Sequence, residues 1–191
     1  MKAALPAAAR RHIERLLGRH RPADRVELGH LERIRRFLAA TEAPFARANP
    51  RGHLTGSAFV MDLRGRLLLL HHRKLEIWVQ PGGHADGEHD PLAVAQREAR
   101  EETGLPDLRV HPLLGPRLLD VDVHGIPARR DEPAHEHFDL RFLLATSQPE
   151  SAVLQVAEAH AMAWFEAESA ALRGDAGIAR AVRHIAALRG R

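Results

Sequence analysis

Two periodicities divide the chain. Before residue 49, apolar residues recur every three or four positions, Ile13, Leu16 and Leu17 in RRHIERLLGRH and then Leu31, Ile34 and Leu38 in HLERIRRFLAATEAPF, with arginines opposite. This predicts two amphipathic helices. NPRG at 49–52 reads as a turn, and after it the period changes. HLTGSAFVMD and GRLLLLHHR predict two strands joined around Arg64 and Gly65, the second apolar enough to be buried on both faces. EIWVQ predicts a short third strand ending at Pro81, and LRVHPLL and PRLLDVDV predict two more, followed by a polar loop, HGIPARRDEPA. HEHFDLRFLLAT alternates cleanly, with Phe138, Leu140, Phe142 and Leu144 on one face and His137, Asp139 and Arg141 on the other. Beyond AMAWF, EAESAALRG and GIARAVRHIAALRG predict closing helices.

Composition narrows the classes this pattern allows. A chain of 191 residues with 45% hydrophobic and 28% charged residues has the size and balance of one globular domain plus a short extension. Its 28 Lys+Arg against 25 Asp+Glu leave only +3, which gives no reason to expect nucleic acid as a partner. The absence of cysteine removes disulfides, thiolate nucleophiles and sulfur-based zinc sites. No apolar run is long enough to span a bilayer, and arginines interrupt the alanine-rich start before a signal-peptide core develops, so a cytoplasmic location without membrane association is expected.

The candidate chemistry lies in PGGHADGEHDPLAVAQREAREETGL, residues 81–105. Asp90 followed by Pro91 reads as a helix cap with proline at the first position, and Gly104 as a left-handed stop, so a helix is expected over about 91–103. On it Glu98, Glu101 and Glu102 stand at i, i+3 and i+4 and share a face. Like charges at that spacing repel by roughly 0.2–0.5 kcal/mol per pair, so the face calls for a cation. Arg97 and Arg100 supply part of one, and a salt-bridged surface helix would account for the glutamates alone. Ala95 and Ala99 allow the helix to lie close on a sheet, and the preceding Gly-Gly turn lets backbone approach a ligand. Clustered oxygen ligands select a hard divalent cation, Mg2+ or Mn2+, suited to phosphoryl or pyrophosphate chemistry.

The stretch resembles the Nudix box: Gly, five residues, Glu, seven residues, Arg-Glu, an aliphatic, any residue, Glu-Glu, any residue, Gly, an aliphatic. Counted from Gly83, the pattern falls on Arg97, Glu98, Ala99, Glu101, Glu102, Gly104 and Leu105, with His89 in place of the first glutamate and Glu88 one residue early. Asp86, Glu88 and Asp90 are the candidate substitutes. The resemblance implies an α/β fold, a Nudix-like α/β/α sandwich with a mixed β-sheet, over residues 49–191, with residues 1–48 as a helical extension packed on it or on a partner subunit. A homodimer is compatible with that extension. The implied activity is hydrolysis of a nucleoside diphosphate linked to another group, so the expected partner is a small nucleotide derivative. A non-catalytic nucleotide sensor on the same fold is the alternative. By resemblance Glu98, Glu101, Glu102 and a Gly83 backbone oxygen hold the metal. Glu98, Arg97 and Glu102 form the catalytic group, Glu98 is the general base within the box, and Glu158 is the candidate distant base.

Outside the box, Arg73 and Lys74 suit phosphate binding or a solvated hairpin, and His84 suits a phosphate contact or a turn. Trp78 and Phe138 suit base stacking or core packing. His137 and Asp139 suit the substrate groove or a solvated strand face. Zinc ligation by His135, His137 and Asp139 is a weaker reading, because no His-Glu-x-x-His helix accompanies them.

Overall fold

The computed structural model describes residues 4–73, 76–128, 133–155 and 159–190. Its helices are α1 (Ala7–Arg19), α2 (Arg25–Ala40), α3 (Pro91–Thr103), α4 (Ala167–Arg173) and α5 (Ala176–Arg189). Its strands are β1 (Gly52–Met61), β2 (Leu67–His72), β3 (Ile77–Val79), β4 (Gly82–His84), β5 (Arg109–Val110), β6 (Asp120–Ile126), β7 (His135–Ala145) and β8 (Ala159–Phe165). All eight strands form one mixed sheet. Order β3-β2-β1-β7-β5 runs through its middle, with β4 on β1, β6 on β7 and β8 on β2. The central pair β1·β7 is parallel, in register from Gly52↔Glu136 to Met61↔Ala145, and the other pairs are antiparallel.

Alternation along β1 separates two cores. Leu54, Ala58 and Val60 join Leu140, Phe142 and Leu144 beneath Ala95 and Ala99 of α3, and the same cluster takes in Ile13, Leu17, Leu31, Ile34 and Leu38 of α1 and α2. Phe59 and Met61, with the opposite parity, pack with Leu143 against Ala170, Ile178, Ala181 and Ile185 of α4 and α5. Helices therefore cover both sides of the sheet. Of the two N-terminal helices, α2 rests on the sheet itself: Phe37 stacks on Phe138 at 4.1 Å, and Arg33 pairs with Glu136.

Local signals placed α3 well. Asp90 accepts from the Leu92 amide, Pro91 opens the helix, and Gly104 closes it at φ 66, a left-handed conformation costly for other residues. Three strand expectations need correction. LRVHPLL pairs only at Arg109–Val110, because the chain turns where the Leu114 and Gly115 amides bond back to the His111 carbonyl. The glycine pair is not a turn but part of β4, laddered on Thr55, Gly56 and Ser57. The polar face of β7 is not solvated either: Asp139 and Arg141 are both buried.

Candidate active site

Strand β4 and the carboxylate face of α3 meet along one side of the sheet. A Cβ on Gly83 would lie 2.5 Å from Glu98 Oε2, so only glycine lets this carboxylate come so close to the strand. Arg97 Nη1 is 2.8 Å from Glu98 Oε1 and 3.0 Å from Glu101 Oε2, while its other terminal nitrogen donates to the His84 carbonyl. Glu102 Oε2 accepts from the Gly82 amide at 2.9 Å. Arginine thus binds the helix face to the strand and divides Glu98 from Glu101. Burial pushes the Glu98 carboxyl above its ordinary value, with Arg97 opposing and Glu101 and Asp86 reinforcing the shift.

The loop before α3 gives Glu88, Asp90 and Asp86, the acidic residues around His89, three different settings. Glu88 Oε1 accepts from the amides of His89 and Asp90, at 2.6 and 3.0 Å, which holds its carboxyl below the usual range and ties the loop to the helix start. Asp90 is occupied as the cap. Asp86 is exposed, with Arg47 at 4.0 Å. The His89 ring instead tilts toward Phe45, beside a cleft lined by Phe45, Arg47, Asp86, Glu88 and His89.

The remaining candidates are scattered. Arg73 is exposed at the end of β2, and Lys74 and Glu158 lie outside the described residues. Trp78 is half-buried, edge-on to Phe165 at 4.8 Å, and Phe138 is core. Asp139 accepts from Thr55 Oγ1 (2.9 Å), Ser57 Oγ (2.7 Å) and Arg141 Nε (2.9 Å), so its carboxylate is engaged inside the protein. Arg141 continues to Asp120 and Asp122, which α5 meets with Arg180.

Among the described residues, two sets of three His or acidic side chains bring their ligand atoms within 4.8 Å of one another: His53–His84–His137 and His20–Glu27–His184. The box glutamates are not such a set. His137 therefore keeps company with His53 and His84 rather than with Asp139. Burial, aided by the neighbouring imidazoles, pushes His137 down to about 2, leaving it neutral. Sequence reasoning missed His53, although the alternation His53, Thr55, Ser57 against Leu54, Gly56, Ala58 carried a legible polar face.

The donors on α3 fit a hard cation: they are oxygens only, and the burial that raises Glu98 penalises its negative charge, which a bound cation would offset. When bound, Mg2+ or Mn2+ would neutralise phosphate charge and acidify a water. Glu98, Glu101 and Glu102 are the side chains that would hold it.

Among the described residues no helix is long and apolar enough to cross a membrane. The chain is similar to a curated protein of Lactococcus lactis subsp. cremoris, "Probable DHNTP pyrophosphohydrolase", with 29% identity over 108 residues, 56% of this chain and 63% of that one. It therefore spans less than two thirds of that relative's length. Among solved structures it resembles an Ap4A hydrolase of C. elegans (TM-score 0.54, 21% identity, 72% of this chain and 97% of the other). It also resembles the E. coli dihydroneopterin triphosphate pyrophosphohydrolase (TM-score 0.51, 16% identity, 68% and 92%). At these identities the structures speak for the fold alone. The family description "NUDIX domain" matches residues 52–185, most of the chain, and with the α3 carboxylate face seated on β4 it leads to one conclusion: this protein belongs to the Nudix family.

Proposed function

We propose that the protein is a Mg2+- or Mn2+-dependent pyrophosphohydrolase acting on a small organic phosphoanhydride, either a nucleoside diphosphate linked to another group or a pterin triphosphate of the DHNTP kind. The observation that carries this reading is the seating of Glu98 under Gly83, with Arg97 bridging Glu98 and Glu101 and the Gly82 amide holding Glu102. In this reading Glu98 takes the proton from the attacking water, and Arg97 orients Glu98 against the strand. Glu101 and Glu102 complete the oxygen ligands. The organic end of the substrate occupies the cleft between residues 43–47 and the 86–89 loop, where Phe45 offers an apolar wall and Arg47 a cation. Residues 1–48 serve as the extension that supplies this wall. The relative named as a DHNTP pyrophosphohydrolase supports the substrate class.

The test is turnover of a panel comprising nucleoside triphosphates, nucleotide sugars, ADP-ribose, dinucleoside polyphosphates and dihydroneopterin triphosphate with either metal, run beside Glu102→Gln. One substrate should be cleaved and the variant should be severely impaired. An inactive parent or an equally active variant would refute the proposal, and binding without turnover would place the chain among nucleotide sensors.

A further inference from the structure

We propose that His53, His84 and His137 form a second metal site, separate from the box carboxylates, that takes a borderline divalent cation such as Zn2+ through three imidazole nitrogens. One ligand atom from each residue lies within 4.8 Å of the other two. The rings are in mutual contact, with centroids 4.7 Å apart for His53–His137, 5.0 Å for His53–His84 and 5.1 Å for His84–His137. Each residue comes from a different strand, and strand register decides that they meet. His53 is directly opposite His137 across the parallel β1·β7 ladder, and His84 is opposite Thr55, which shares a face with His53. Ligands on paired strands are held more precisely than ligands on loops.

The same parity separates this cluster from the proposed catalytic face. Gly83 faces Glu98, so His84, the next residue on β4, points to the opposite side of the sheet. A cation at the histidines would therefore not share ligands with one at the glutamates. Imidazole nitrogens favour Zn2+ and its transition-metal neighbours over Mg2+, and three protein ligands with a fourth position open is a common zinc arrangement. His135 adds the orienting contact that ligating imidazoles usually have: its Nε2 is 3.3 Å from His137 Nε2, and its Nδ1 bonds the Pro133 carbonyl at 2.9 Å. The second convergent set is different in kind. Glu27 already receives His20 and His184 at 2.7 and 2.8 Å and two backbone amides besides, which is a completed internal network.

The experiment is a Zn2+ titration of the chelator-stripped full chain against a chromophoric competitor, with Co2+ as a spectroscopic substitute. The expected result is one equivalent bound per chain and strong visible Co2+ absorption of a four-coordinate site. His53→Gln, His84→Gln and His137→Gln should each weaken binding by about 100-fold or more, whereas Glu98→Gln and His184→Gln should bind as the parent does. His53 is fully buried, and if His53→Gln does not fold, His84→Gln, only partly buried and checked by circular dichroism, still decides the matter. Absence of stoichiometric Zn2+ binding, or binding that survives His84→Gln or disappears in Glu98→Gln or His184→Gln, would overturn the proposal.

Discussion

Replacing Glu27 by glutamine tests how the N-terminal helices are joined to the domain. The Glu27 carboxylate has no solvent exposure and accepts four hydrogen bonds: His20 Nε2 (2.7 Å) and the Val121 amide (3.3 Å) on one oxygen, His184 Nε2 (2.8 Å) and the Ala23 amide (2.6 Å) on the other. These donors come from α2's own entry loop, the end of α1, β6 and α5. Whichever way a glutamine amide is turned, its NH2 group faces one of the two backbone amides, which cannot reverse roles. Loss of the charge and of at least one bond should cost about 2–3 kcal/mol. At roughly 2–4 °C per kcal/mol for a chain of this size, the melting temperature should fall by about 5–10 °C at pH 7. Glu27→Ala, which abandons every donor, should cost about 3–5 kcal/mol.

The pH dependence is a stricter check. Burial alone would raise the Glu27 carboxyl, but bonds from His184, His20 and the Ala23 amide outweigh it and hold the group well below the ordinary value. A depressed carboxylate stabilises the fold fully above its unfolded pKa, about 4.3, and loses that contribution as pH falls toward the folded value. The gap in melting temperature between parent and Glu27→Gln should therefore be widest near neutrality and narrow below about pH 4. Differential scanning calorimetry across pH 3–7 measures it. A glutamine variant within about 2 °C of the parent at pH 7, or a gap that does not change with pH, would refute the reasoning.

Gly83→Ala should lower turnover of the best substrate by about 100-fold, since the added methyl displaces Glu98. Its melting temperature should fall only a few degrees, because the atom it meets is the end of a flexible side chain. Unchanged kcat would count against the catalytic placement of Glu98. Asp139→Asn should cost about 3–5 kcal/mol in urea denaturation by leaving Arg141 partly unpaired, with KM unaltered in the folded fraction. A raised KM with unchanged stability would restore Asp139 to the substrate groove.

What could be read along the chain was whatever local chemistry controls. Helix α3 runs over the span its cap, proline and glycine announced, because those signals act within a turn of the helix they bound. The i, i+3, i+4 spacing put three glutamates on one face before any neighbour was known. Likewise the apolar periodicity of α1 and α2 identified the side chains that enter the core. His89 marked a departure from the box, but only the folded loop showed Glu88 bonded to the two amides at that junction.

Tertiary structure decided everything that depends on which strand lies beside which. Asp139 and Arg141 alternate as a solvated face would, yet they are buried, because Asp120 and Asp122 of β6 and Arg180 of α5 close over that face and satisfy the charges. In the sequence His137 stands beside His135 and Asp139, whereas its metal-competent companions, His53 and His84, are brought to it by the parallel register of β1 and β7 and the antiparallel seat of β4. The chain by itself determined the ends of α3, the alternation of side chains along its strands and the residue types available for chemistry. The pairing of strands determined which of those residues stand within reach of one another, because register is set by the collective burial of both sheet faces and not by any local run of sequence.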